Sequence, residues 1–481
     1  MTAPLPNRRG ATHKIPRSAL WLAGIAITSA VLVGGVYAGF QAYLAIGRTP
    51  GELLDYVDRR LLGHPKLEWL SSPLLGTVRW YFDAVPAAER ASMVFLVPDP
   101  PPRRTAAEVA PAQPVPAGAR VWRVGPRAEL LRIADAAQLA RSGDVVEIEA
   151  GDYRADVAVW NQERLTIRGV NGAARIHADG AIAEGKAIWV IQRGDFDISN
   201  IDFVGAKAED RNGAGIRFEG GTLRVRHCLF WGNETGLLTS NGDHATNSSL
   251  IIEHSEFAYS SVPGHWAHNL YVGSIDSLSV VGSYFHHAGI GHLLKSRAKR
   301  SEVRYSRLTD EAGGRASYEM DFPNGGAVVL VGNVVQQGAG TENSVIVSYG
   351  AEGYTWPVNN LVMGSNTLVN DHPHGGTFLR VAPGASAVVS TNNLLVGHGD
   401  YQVRDALTRF NDQRAEWSDL AQPSRYDYRL HRPDDQLAYR APSGLPGASA
   451  LMPGQQYMHP IRLVPLAGPH SVVGADQREA P

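Results

Sequence analysis

Val225-Arg226-His227-Cys228-Leu229-Phe230, Ile252-Glu253-His254-Ser255-Glu256-Phe257 and Val280-Val281-Gly282-Ser283-Tyr284-Phe285 are one phrase written three times. Each runs from a branched apolar residue through a small one to a phenylalanine. The phrase extends in both directions. A bulky apolar residue returns at Phe203, Phe230, Phe257, Phe285, Leu308, Val335, Leu368 and Leu395, in steps of 27, 27, 28, 23, 27, 33 and 27. Two places before each anchor after the first stands Cys228, Ser255, Ser283, Ser306, Asn333, Asn366 or Asn393, and only the first coil departs, with Ile201. Short period-2 strands recurring every few tens of residues, with no helical pattern, specify one coil per repeat, each coil burying the next. The expected fold is all-β, a parallel solenoid of about 27 residues per coil.

Composition agrees. A chain of 481 residues exceeds what one compact core usually needs, and a stacked solenoid accounts for the length without several globular domains. The 51 glycines and 29 prolines suit a chain that turns after every short strand. With 45 basic against 47 acidic residues there is no concentrated positive charge, which argues against a nucleic-acid partner. The one cysteine, Cys228, occupies the place of Ser255 and Ser283 in the repeat and reads as a small buried side chain.

No residue from Ser18 to Gly47 is charged, and Arg8, Arg9, Lys14 and Arg17 precede that run. Its length spans a bilayer, and the positive flank places the amino terminus inside. The expected arrangement is a cytoplasmic tail (1–17), a single transmembrane helix (18–47) in a bacterial inner membrane, and everything after it in the periplasm. A cleaved signal peptide ending near Val36-Tyr37-Ala38 is the competing reading. Residues 48–96 form a juxtamembrane segment. Residues 97–119 are Pro/Ala-rich and should act as a semi-stiff linker before the solenoid at 120–440. The Pro/Gly-rich tail, 441–481, is left unassigned. Between Arg127 and Arg141, Leu130, Leu131, Ala134, Ala137 and Leu139 recur at roughly helical spacing, and an amphipathic helix there would cover the open first coil.

Gly143-Asp144-Val145-Val146-Glu147-Ile148-Glu149-Ala150-Gly151-Asp152-Tyr153, with Leu165-Thr166-Ile167-Arg168-Gly169 after it, closely resembles the first coils of right-handed parallel β-helix proteins of the pectate-lyase type. Tyr426-Asp427-Tyr428-Arg429-Leu430, followed by Pro433, resembles the sequence that closes such domains. The resemblance covers about residues 120 to 440 and is specific for fold, much less for activity.

Stacked coils set equivalent residues about 4.8 Å apart, so outward side chains of neighbouring coils form one surface. Reading for period 2, Tyr318, Met320 and Phe322 point inward and send Glu319 and Asp321 out together, about 7 Å apart. One coil earlier Lys295 and Arg297 face out, together with Leu293. One coil earlier again Asn269 and Tyr271 do, and Tyr349 is a candidate on the coil after Asp321. His268 and His292 flank this line, with Glu352, His265, His286, His287, His372 and His374 on nearby turns. A flat, ribbed, charged and aromatic line suits an extended acidic polysaccharide. There is no spaced Cys/His set, so no zinc site is expected. Glu319, Asp321 and Glu352 supply oxygen ligands of the kind calcium takes, which leaves calcium as the open cofactor question.

Leu293-Leu294-Lys295-Ser296 resembles the lysine-bearing strand of the chondroitin-B and alginate lyases. What that resemblance implies is β-elimination on a uronic acid: the sugar carboxylate is neutralised, a base takes the C5 proton, and an acid protonates the leaving O4. Lys295 would be the base, and Arg297 would pair with the carboxylate. On the next coil those enzymes carry an arginine where this chain has Glu319 and Asp321. Two further readings follow: a glycoside hydrolase using Glu319 and Asp321, or a non-catalytic glycan-binding or scaffold protein of the envelope.

Overall fold

A computed structural model describes residue 35 and residues 95–241, 247–341, 343–373, 375–404, 407–431, 435–445, 451–466 and 471–476. The expected tail 1–17, the transmembrane helix 18–47 apart from residue 35, and nearly all of 48–96 lie outside the described residues. Among the described residues no helix is long and apolar enough to cross a membrane.

Each coil contributes three short strands, and equivalent strands stack in parallel to make three columns. The first column contains Thr222–Arg226, Ser249–Glu253, Ser277–Val281 and Arg300–Arg304; their burial alternates strictly, with the second and fourth residue of each strand inside, Leu223 and Val225 in the first and Ser301 and Val303 in the last. The second contains Leu229–Trp231, Glu256–Ala258, Tyr284–His286 and Arg307–Thr309. The third is a separate sheet of ten strands, from Ala158–Trp160 to Gly399–Val403.

The repeat anchors fall in the second column, and all eight are neighbours in its ladder, from Phe203 paired with Phe230 to Leu368 paired with Leu395. Phe203, Phe230, Phe257 and Phe285 are fully buried and stacked ring on ring, with centroids 5.1, 4.4 and 4.7 Å apart. The small and amide residues two places earlier make a second ladder. The backbone N–H of each donates to the next coil's side chain, from Cys228 to Ser255 Oγ (3.1 Å) through Ser306 to Asn333 Oδ1 (3.0 Å) to Asn366 on Asn393 Oδ1 (2.9 Å). Only a short side chain with an acceptor fits there. Cys228 heads the ladder, sealed in the core, where burial pushes its thiol up to about 12.

The turn from the first column to the second needs one residue with positive φ per coil. Asn200, His227, His254, Gly282, Tyr305, Gly332, Ser365 and Asn392 fill it, with φ between 47° and 66°. Non-glycine residues are strained there. Their N–H groups are held by the following coil, as in His227 to Glu253 O (3.1 Å) and Tyr305 to Val331 O (2.9 Å).

Two expectations are corrected, and the unassigned tail finds a place. The N-terminal helix is shorter, Ile133–Leu139, and presents Ile133, Ala136 and Ala137 to the core; Leu131 and Leu139 are 68% and 47% exposed. Asp156 accepts from the N–H groups of Ile133 and Ala134, and this fixes which face turns inward. The stretch 97–119 is no free linker. Arg104 pairs with buried Asp202, Trp231 donates to Pro98 O, and Ala110 exchanges two hydrogen bonds with the Asn200 side chain. The tail beyond 440 also packs on the solenoid: Gln455–Met458 and Arg462–Pro465 form an antiparallel pair, His254 donates to Ile461 O, and Leu451 packs with Tyr305, Val331 and Val389.

Candidate functional site

The third column carries the chemistry. Its ladder pairs Leu238 with Tyr271, Tyr271 with Lys295, Lys295 with Asp321, Asp321 with Ser348 and Ser348 with Arg380. Arg217 precedes Leu238 in the same row. Tyr271, Lys295 and Asp321 therefore stand side by side on three successive coils, as the period-2 reading of their strands predicts. They are not solvated surface charges, for Lys295 is only 5% exposed.

Lys295 Nζ lies 3.5 Å from Asp321 Oδ2 and 3.1 Å from Glu352 Oε1. Arg297 Nη1 lies 2.7 Å from Glu352 Oε2, and Arg297 Nε donates to the Tyr271 hydroxyl at 2.9 Å. Asn324 accepts from Arg297, and Trp356 Nε1 donates to the Arg297 carbonyl at 3.1 Å, which holds that corner of the chain. His292 Nε2 is 3.5 Å from Asp321 Oδ2, and His268 Nδ1 accepts the His292 backbone N–H at 3.0 Å. The Tyr271 ring lies 6.0 Å from Lys295 Nζ and 5.3 Å from the His268 ring.

The protonation pattern follows from burial. Burial, helped by the Lys295 and Arg297 charges, pushes His268 down to about 3, and burial holds His292 well below its usual value. Both imidazoles are neutral near pH 7. Burial raises the Asp321 carboxyl, against the opposing pull of Lys295. For Glu352 burial pushes upward, but the hydrogen bond from Arg297 and the Lys295 charge outweigh it and hold the carboxyl below its ordinary value. Two carboxyls share one lysine and are driven in opposite directions.

Four expected surface residues are not there. Glu319 is fully buried, with neither carboxylate oxygen hydrogen-bonded, and its row in the ladder is Gly215, Gly236, Asn269, Leu293, Glu319, Ile346, Phe378. A Cβ on Gly215 or Gly236 would collide with the Phe230 or Phe257 ring, so this row faces the core. Asn269 is accordingly a buried pin, accepting from Ser260 N and donating to the carbonyls of Phe257 and His286, and Leu293 is core. Tyr349 pairs with Phe322, is fully buried, and donates to Gly326 O; the outward residue of that coil is Ser348. Strict alternation fails because each strand enters from a corner, where two consecutive residues (Leu293 and Leu294, Glu319 and Met320) both face in.

With Glu319 turned inward, the carboxylate trio considered for calcium is not assembled, and among the described residues no group of three or more His, Cys, Asp or Glu converges as a metal site. His286 is engaged with His287 and Glu256, and His374 lies outside the described residues. What sequence reasoning underrated is Glu352. Its one signal is position, a lone acid between Gly350 and Gly353 directly after a third-column strand.

No family model and no curated protein matches the chain. Among solved structures it is similar to the crystal structure of pectate lyase Pel9A, at 12% identity and a TM-score of 0.45, over 78% of this chain and 99% of that one. It is also similar to the structure of a mutant of the PL6 family alginate lyase AlyGC, at 14% identity and a TM-score of 0.29, over 72% of this chain and 57% of that one.

Proposed function

We propose that the chain is a polysaccharide lyase that cleaves a uronic-acid-containing glycan by β-elimination on the outer face of the third column. One observation carries this reading: Lys295 and Arg297 converge from one strand end onto a single carboxylate, beside the Tyr271 hydroxyl. Arg297 neutralises the uronate carboxylate, which acidifies the C5 proton. Lys295, once its ammonium has given up a proton to solvent, removes that proton as the free amine. Tyr271 protonates the leaving O4, because Arg297 Nε occupies its oxygen lone pair and leaves its O–H to point at substrate. His268 and His292, neutral and packed 4.7 Å apart, line the site without adding charge. An unsaturated uronate, detected by its ultraviolet absorbance when the protein is incubated with a panel of uronate polymers, tests the reading. Reducing ends without that chromophore would overturn it.

A second reading, glycoside hydrolysis, is supported by the opposed titration of Asp321 and Glu352, the pattern that separates a general acid from a base. It replaces the pair Glu319 and Asp321, since Glu319 is sealed in the core. For the rest of the chain we propose that residues 18–47 anchor it in the inner membrane with the solenoid in the periplasm, and that the helix Ile133–Leu139 caps a right-handed first coil. The uncharged run with its basic flank supports the anchor, and the buried face of the helix supports the cap.

A further inference from the structure

Glu352 holds both cations of the site, and it holds them in an unequal way. Its carboxylate divides its oxygens between Lys295 (3.1 Å) and Arg297 (2.7 Å), the arrangement a free carboxylate takes between two donors. The cations are sunk in the sheet, with side chains 7% and 18% exposed, whereas the Glu352 side chain is 47% exposed. Lys295 comes from a strand that is hydrogen-bonded on both sides, and Arg297 follows it directly. Glu352 comes from a turn outside any strand, between Gly350 (φ 76°) and Gly353 (φ 92°), a backbone that glycine adopts without strain. The acid lies over the cations from the solvent side and is the member of the trio able to leave.

We propose that the Lys295–Arg297 pair is a carboxylate-exchange site in which Glu352 stands where the substrate's uronate carboxylate binds, and that substrate displaces it. This rests on the uronate reading above. Two largely buried cations side by side repel each other and lack solvation, so an empty site is unfavourable. An internal carboxylate neutralises them until a substrate carboxylate takes over. The exchange swaps one anion for another and leaves the charge of the pocket unchanged. A neutral sugar cannot make that exchange, so Glu352 acts as a filter for acidic glycans as well as a competitor.

The test is calorimetric titration of the full-length chain and its Glu352→Gln variant with hexagalacturonate, hexaguluronate and cellohexaose. The substitution keeps the size of the side chain and removes the charge that competes. The expected result is binding of at least one uronate hexamer about 10-fold more tightly by the variant than by the wild type, since the site no longer needs to be vacated, with cellohexaose unchanged. Glu352→Ala should behave likewise, and near-ultraviolet circular dichroism checks that both variants keep the native packing. Uronate binding that is equal or weaker in both native-like variants, while the wild type binds the hexamer, overturns the exchange proposal and leaves the uronate reading standing. Binding of cellohexaose alone, or of no hexamer by any of the three chains, overturns both.

Discussion

Asp412 Oδ1 accepts the backbone N–H of Asn393 at 2.9 Å and its side-chain amide at 3.0 Å, closing the hydrogen-bonded ladder that Cys228 opens. Every coil after the first satisfies the N–H of the one before it, and the last amide, Asn393, has no repeat residue to follow it. Asp412 takes that place from outside the repeat, with its second oxygen on Ser390 and Tyr401.

Replacing Asp412 by Ala should therefore leave the buried amide of Asn393 unpaired and lower stability by about 2–3 kcal/mol in chemical denaturation. Asp412→Asn, which keeps one acceptor oxygen, should recover most of the loss. Equal stability of Asp412→Ala and the wild type would show that the ladder end is satisfied by other means.

The aromatic stack makes a sharper demand. Phe257 lies between Phe230 and Phe285, parallel to both within 7°. Phe257→Ala opens a cavity between two coils that cannot close on each other without breaking register, and should cost about 3–5 kcal/mol. A loss below about 1 kcal/mol in the same denaturation experiment would contradict a packed interior at that site.

Glu319 predicts a pH dependence. Burial, and then the charge of Asp310, raise its carboxyl well above the ordinary value. A folded value above the unfolded one means that the group's stability contribution is intact below the ordinary glutamate value of 4.5 and is lost as pH rises toward the folded value. Glu319→Gln removes this loss. The variant should match the wild type in thermal midpoint near pH 4 and exceed it increasingly as pH rises above 4.5, the stability difference growing by up to about 1.4 kcal/mol per pH unit. Midpoint differences independent of pH would mean that Glu319 ionises freely in the fold.

For the site, Lys295→Met keeps the packing of the side chain and removes its nitrogen. Turnover on the preferred uronate polymer should fall by about 10²–10⁴-fold. Arg297→Ala should also raise KM, because it deletes a contact to the substrate carboxylate. Asp321→Asn separates the two enzymatic readings: hydrolysis requires near-complete loss, elimination tolerates partial activity. Full activity of Lys295→Met would exclude Lys295 as the base.

The anchor is checked by fractionation. With Leu32 and Val33 replaced by Arg, the protein should leave the membrane fraction. Wild-type protein recovered as a soluble periplasmic species, trimmed after Ala38, would establish a cleaved leader instead.

The solenoid was legible in the sequence because stacking is a constraint of period. Each coil must offer the same shape to the next, so Phe203, Phe230, Phe257 and Phe285, and the small residues before them, recur at visible intervals. The row of Tyr271, Lys295 and Asp321 was legible from the period-2 reading of each strand, which turns all three outward; Tyr271 and Asp321 also stand at one offset, 14 residues before the next anchor. Direction was not. Whether Glu319, Asn269 and Tyr349 face core or solvent depends on how each strand leaves its corner, and a doubled inward pair there shifts the alternation by one without changing the interval. Nor could any local pattern place Glu352 on Lys295, 57 residues away in sequence. That contact depends on the path of a turn two coils further on, and it is the fold's stacking, which sets one coil's loop over another coil's strand, that brings the acid and the two cations together.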